Sequence, residues 1–267
     1  MISSANTDRD QRSKYRCNKI LGSAERMTTL KLNASENMKR LFLHMPKCAG
    51  SSVVAMLTKA APELILHDHE HSFFRIPRPE RNEVLLQSLF HPAEAPEDKI
   101  VIGHFFPVKY LGSAPDHHTR LVTILRDPIE RLRSHYRYLC SGNFPEHYVW
   151  RKRQAENWSF EDFAFSSEMR NFYSQYFFGV SLGSFAFIGL YENLAVSIRR
   201  CCAVLELPLP ADLEIPRVNV SPSQVPTEIS DATASELRDY HADDYAIYRF
   251  AQRKFSESGV ATGRPIS

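Results

Sequence analysis

From Arg40 onward the chain alternates short apolar runs with longer stretches in which apolar residues return every three or four positions. Leu41 to Met45, Lys99 to Ile102, Leu121 to Leu125 and Phe185 to Leu190 are bounded by Gly, Pro or charged residues, and predict strands buried on both faces. Between them the spacing predicts helices over Val53 to Ala60, Glu80 to Phe90, Pro128 to Leu139, Phe160 to Phe177, Leu194 to Leu205, and about Asp231 to Phe255. Strands alternating with helices imply right-handed crossovers and a helix-covered parallel sheet. Such sheets take ligands at the C-terminal ends of their strands. Leu207 to Pro226 holds five prolines and reads as a loop-rich segment able to fold back across those ends.

Residues 1–39 are polar and charged with no sustained period. They are expected to form a disordered leader to a domain over 40–256, with 257–267 a flexible tail. Met27 and Met38 leave the point of initiation open. A chain of 267 residues, 43% of them hydrophobic, can bury a core without disulfide or metal staples. The formal net charge of +2 gives no global field for nucleic acid or a membrane surface, so an anion site must come from local clustering. The five cysteines, Cys17, Cys48, Cys140, Cys201 and Cys202, form no C-x-x-C pair. That argues against a disulfide framework or a zinc knuckle and for a reducing compartment. No run has signal-peptide or membrane-span character, so a cytoplasmic protein is expected. Neither a nucleic-acid partner nor an oligomeric state is implied.

After the first strand the chain reads His44-Met45-Pro46-Lys47-Cys48-Ala49-Gly50-Ser51-Ser52 and then enters a helix with Val53, Met56, Leu57 and Ala60 on its apolar face. A tight turn into a helix N-terminus, with a lysine and two hydroxyls beside it, suits a phosphate. The order is not that of Walker A, because Lys47 precedes Gly50 rather than following it. A lysine at the entry of the turn can sit over a breaking bond while Ser51 and Ser52 hold oxygens from the helix end. A plain strand–helix turn with an exposed lysine is the alternative.

The third apolar run ends in Arg126-Asp127-Pro128, with Asp127 suited to the N-cap and Pro128 to the first helical position. Ile129, Leu132, Tyr136 and Leu139 share one face, which predicts that Arg131 and Ser134 point away from the core. Arg126 at the strand end, Ser134 eight residues on, and Arg131, Arg133 and Arg137 suit a dianionic phosphate monoester. The alternative is a solvated basic helix face.

Together these segments resemble the sulfotransferases that use 3′-phosphoadenosine 5′-phosphosulfate (PAPS), in the carbohydrate branch that includes heparan sulfate and uronyl 2-O-sulfotransferases. Pro46 to Ser52 is similar to that family's 5′-phosphosulfate loop, and Arg126 to Tyr136 to its R-D-P-x-x-R-x-x-S-x-Y motif. The similarity runs from about Arg40 to Phe255, with weaker likenesses at Phe187 to Leu194 and Asp243 to Tyr248. The leader finds no match and lacks the membrane anchor typical of the Golgi enzymes in this branch. The resemblance implies an α/β fold with a P-loop-like central parallel sheet and helices on both faces. It implies PAPS as co-substrate and no metal. By position, Lys47 would stabilise the leaving phosphate. The loop from Lys47 through Cys48 and Ala49 to Gly50, Ser51 and Ser52 would hold the 5′-phosphate, and Arg126 with Ser134 the 3′-phosphate. Arg217, in Arg217-Val218-Asn219-Val220-Ser221, resembles a contact from the loop that closes over the nucleotide.

The strand before Gly103 leads to His104, and in the resembling 2-O-sulfotransferases a histidine after this strand serves as base. Imidazole suits a hydroxyl that must lose its proton on attacking sulfur. The acceptor implied is a carbohydrate or another hydroxyl. His67, His69 and His71 would share one face of an extended segment, a spacing open to a metal but read here as a solvated loop or acceptor edge. Asn171 and Gln175, four apart on a helix, could bond a sugar or belong to the core. Trp150-Arg151-Lys152-Arg153 would suit an acidic glycan, or be a solvated charge run. Two rivals remain: a P-loop kinase, which would need Walker A order and an acidic Mg²⁺ ligand, and a non-catalytic nucleotide- or glycan-binding module.

Overall fold

The central strand, β1 (Lys39–Leu43), is flanked on both sides by strands that follow it much later in sequence. The structure is a computed structural model that describes residues 38–69, 75–111, 118–207 and 225–260. Arg217, His71, nearly all of the expected leader and most of the proline-rich segment lie outside the described residues.

After β1 come α1 (Gly50–Ala60), β2 (Ile65–Asp68), α2 (Arg78–Phe90), β3 (Ile100–Gly103), α3 (Val108–Leu111) and β4 (Thr119–Leu125). There follow α4 (Pro128–Cys140), α5 (Tyr148–Glu156), α6 (Phe160–Ala164), α7 (Phe172–Tyr176), β5 (Phe185–Leu190), α8 (Leu194–Val204), α9 (Asp231–Tyr240) and α10 (Ala242–Val260). The strand order is β2-β3-β1-β4-β5 and every pairing is parallel, with Leu43 opposite Gly103 on one side and Thr123 on the other. The fold is α/β, a P-loop-like parallel sheet with helices on both faces.

Alternate residues of each strand feed two apolar layers. Leu41, Leu43, Val101, Leu121 and Leu125 pack on one face with Phe172, Tyr173 and Tyr176 of α7 and Tyr248 and Ala251 of α10. Phe42, Ile102, Val122 and Ile124 pack on the other with Val53 and Leu57 of α1 and Ile198 and Cys201 of α8. Burial on both faces removes the polar alternation that marks a one-sided sheet, so these strands read as continuous apolar runs.

Three expectations change. The edge strand β2 was not legible, because at four residues with Leu66 and His67 exposed it carries little of the apolar signal. The helix expected over Phe160 to Phe177 is two short ones, started at Ser159 by a capping box with Asp162 and interrupted before Asn171, whose φ is 50°. The long C-terminal helix is also two, broken at His241. That buried imidazole accepts the Asn171 N–H on Nδ1 (3.3 Å) and donates Nε2–H to the Ala164 carbonyl (2.9 Å), so it stitches the α6–α7 turn together. Neither break has a proline signal.

Candidate active site

The turn after β1 is bent by two left-handed residues, Lys47 and Ala49, each at φ 66°, with Cys48 between them. Non-glycine residues enter that region at a cost of about 1–2 kcal/mol, which the surrounding structure must impose. Alternation of this kind turns successive N–H groups toward one concavity. Ser52 and Val53 donate to the Ala49 carbonyl, while the N–H groups of Ala49, Gly50 and Ser51 open the N-terminal end of α1. Gly50 is required by close approach, since a Cβ there would stand 1.6 Å from Cδ2 of the His44 ring. Ser51 is exposed and Ser52 buried at 6% exposure.

Lys47 lies with Nζ 4.1 Å from the centre of the Tyr138 ring, and its pKa falls to about 8, chiefly from burial and next from the charge of Arg126. Arg126 follows β4 and Lys47 follows β1, which pair side by side, so the register brings the two cations together. The Arg126 guanidinium lies 4.2 Å from the centre of the Tyr191 ring and 3.6 Å from a Glu130 oxygen, and its Nε is buried without a partner. Asp127 caps α4 as expected, accepting from the N–H groups of Ile129 and Glu130, and its own N–H donates to Glu192 at 3.0 Å. Tyr191 and Glu192 thus brace this corner from the end of β5. Ser134 is half-buried on α4.

Arg131 corrects the sequence reading. It is fully buried rather than turned to a ligand, because α7 brings Phe172 and Tyr173 over the place on α4 that its own periodicity leaves free. Its guanidinium lies 4.2 Å from the centre of the Phe172 ring. Arg133 and Arg137 bond to Thr227, anchoring the segment that leads into α9. Asn171 and Gln175 are likewise committed to the protein, to Asp243 and to Arg81 with the Arg170 carbonyl. In the basic run on α5, Arg153 stacks on Tyr136 and Lys152 on Trp158.

His104 follows β3, on the other side of β1. Its Nδ1 lies 2.7 Å from the His44 carbonyl, and its ring centre is 4.2 Å from that of His44 and 5.3 Å from that of His69. Burial lowers the His104 pKa to about 4, with His69 adding to the effect and the bond to the His44 carbonyl opposing it. His44 is held well below the usual imidazole range, first by burial and then by His104, His69 and Lys47. His67 and His69 stack at 5.8 Å. Between them Asp68 takes up Lys109 and Tyr110. Among the described residues no His, Cys, Asp and Glu side chains are grouped to hold a metal ion.

Three strand ends therefore bring Lys47, Arg126, His44 and His104 to one edge of the sheet. Against known proteins, no family model matches the chain, and no curated protein sequence matches it. Among solved structures it is similar to a sulfotransferase from Alicyclobacillus acidocaldarius, with 20% identity over 78% of this chain and 93% of that one, at a TM-score of 0.39. It is also similar to mouse sulfotransferase SULT7A1 complexed with PAP, with 12% identity over 76% of this chain and 63% of that one, at a TM-score of 0.33. Among the described residues no helix is long and apolar enough to cross a membrane.

Sequence reasoning missed Tyr173, whose hydroxyl reaches both turns, and His44, hidden as a strand-end residue. Neither belongs to a motif of regular spacing.

Proposed function

We propose that the chain transfers a sulfuryl group from PAPS to a hydroxyl of a carbohydrate. The observation that carries this reading is the convergence of Lys47 and Arg126, which follow paired strands and lie close enough for one charge to depress the pKa of the other. Two facing cations beside an open helix N-terminus fit a nucleotide phosphorylated at both ends better than a single phosphate. The motif likeness around Pro46 and Arg126 supports the choice of donor and the carbohydrate class of acceptor.

In this reading Arg126 and Ser134 hold the 3′-phosphate, with Arg217 a further contact. The N–H groups of Ala49, Gly50 and Ser51 and the hydroxyls of Ser51 and Ser52 hold the 5′-phosphate, while the Cys48 N–H is spent on the Met45 carbonyl and Cys48 serves the turn itself. Lys47 neutralises charge on the phosphate oxygen as its bond to sulfur breaks. His104 takes the acceptor's proton on Nε2 as the new oxygen–sulfur bond forms. PAPS, when bound, supplies the activated sulfuryl group. The side chains supply position and charge.

Incubation with labelled PAPS and a panel of glycans and simple alcohols tests the proposal. Labelled product formed mole for mole with adenosine 3′,5′-bisphosphate is the expected result. Tighter binding of ATP than of the bisphosphate would favour a kinase, and bisphosphate binding without turnover on any acceptor would favour a binding module.

A further inference from the structure

One hydroxyl touches both turns of the site. Tyr173 lies on α7 with no exposed surface, and its Oη donates to the Arg126 carbonyl at 2.6 Å and accepts the Arg126 N–H at 3.2 Å. The same oxygen stands 3.5 Å from the Cys48 Sγ in the turn after β1. Burial holds the Tyr173 phenol well above its usual range and the Cys48 thiol up at about 11, so both remain protonated at neutral pH. The phenol proton is given to the Arg126 carbonyl, which leaves the oxygen's lone pairs facing the Arg126 N–H and the thiol. The phenol is itself held in place, because Asp244 of α10 accepts the N–H groups of Tyr173 (2.8 Å) and Ser174 (3.2 Å).

Arg126 is the first residue beyond the last paired position of β4, where the ladder no longer satisfies its main chain. We infer that Tyr173 is a positioning residue that fixes the spacing between the two phosphate-holding turns, so that the protein selects a nucleotide phosphorylated at both the 3′ and 5′ positions over either monophosphate. The inference rests on the donor reading above. It differs from a purely structural role in one respect. A hydroxyl that only satisfied the Arg126 main chain would support the Arg126 side alone, and its loss would weaken 3′-AMP as much as the bisphosphate. A hydroxyl that sets their separation matters most to a ligand that must occupy both at once.

The test is calorimetry of adenosine 3′,5′-bisphosphate, 5′-AMP and 3′-AMP with the wild-type chain and Tyr173→Phe, together with melting temperatures. The phenylalanine keeps the ring and removes only the shared oxygen. The bisphosphate is expected to bind about tenfold more weakly to the variant, with each monophosphate changed by less than about threefold. Cys48→Ala, which leaves Tyr173 on Arg126 and breaks the link to the other turn, should show the same selective loss, and decides the matter if Tyr173→Phe does not fold. Equal losses for all three ligands, or none, would overturn the inference while leaving the donor reading intact. Failure of the wild-type chain to bind the bisphosphate would instead overturn both.

Discussion

His104 donates its Nδ1–H to the main-chain carbonyl of His44 across 2.7 Å, and this bond decides which ring nitrogen is basic. A carbonyl only accepts, so Nδ1 carries the hydrogen and Nε2 keeps the lone pair. With its pKa held at about 4, the ring is neutral at physiological pH. Under the function proposed above, a base this weak would take its proton late, once the forming bond to sulfur had acidified the hydroxyl. Sequence alone would place the ascending limb of kcat near the ordinary histidine pKa, and burial moves it to about 4. His104→Ala should lower kcat by roughly 10²–10⁴-fold and lose that limb. Rate profiles with the donor saturating check this. An identical limb in the variant would mean that another group is the base.

Lys47 should make donor binding fall as pH rises. Its pKa of about 8 means that the charged form dominates below that value and is lost above it. A bound anion favours the charged form, so binding of adenosine 3′,5′-bisphosphate near pH 8 to 9 should take up protons. Calorimetry in buffers of different ionisation enthalpy measures the uptake. Lys47→Ala should abolish it and flatten the affinity profile across that window. Uptake that survives the substitution would assign it elsewhere.

Arg126→Ala should weaken binding of adenosine 3′,5′-bisphosphate by about 2–3 kcal/mol and leave 5′-AMP nearly unchanged, as expected for a charge-assisted contact to one phosphate. The same calorimetry decides it. Equal losses for both ligands would show that Arg126 does not distinguish the 3′-phosphate.

Asp244 should make the fold less stable toward neutral pH. Burial raises its pKa from the ordinary carboxylate value to about 7, against the pull of Arg131 and the bonds from α7. A folded pKa above the unfolded one gives stability that is fully present below the unfolded value and lost as pH rises through about 7. Asp244→Asn keeps an oxygen for the Tyr173 and Ser174 N–H groups and removes the charge. Its melting temperature should therefore rise relative to wild type between about pH 4 and 7, and thermal melts over that range test it. A constant difference would show that Asp244 does not titrate there.

The parts of the fold legible in sequence are those whose signal is local. Four strands buried on both faces stand out as apolar runs, and the Asp127–Pro128 cap marks the start of α4. The site's cations were legible because they sit at strand–helix turns. What escaped depends on distant partners. Arg131 has a place on its helix that periodicity assigns to solvent, and the Phe172 and Tyr173 rings of α7 close over it. His241 breaks a helix for the sake of a turn about seventy residues away, since its bond to Asn171 spans 70 positions. Tyr173 reads as one more apolar residue, and its hydroxyl acquires meaning only when Cys48 and Arg126 arrive beside it.

The support that α10 gives to the site also sets an order of events during synthesis. Asp244 holds the α7 N-terminus and the Tyr245 hydroxyl reaches Asp127, although neither residue belongs to the ligand turns. A chain emerging N-terminus first exposes Lys47 and the β1 turn early, yet those groups take their places only after nearly the whole domain has been made. Ligand affinity should thus switch on at the close of folding rather than grow with chain length. Under the proposed function, bound nucleotide would then report finished chains.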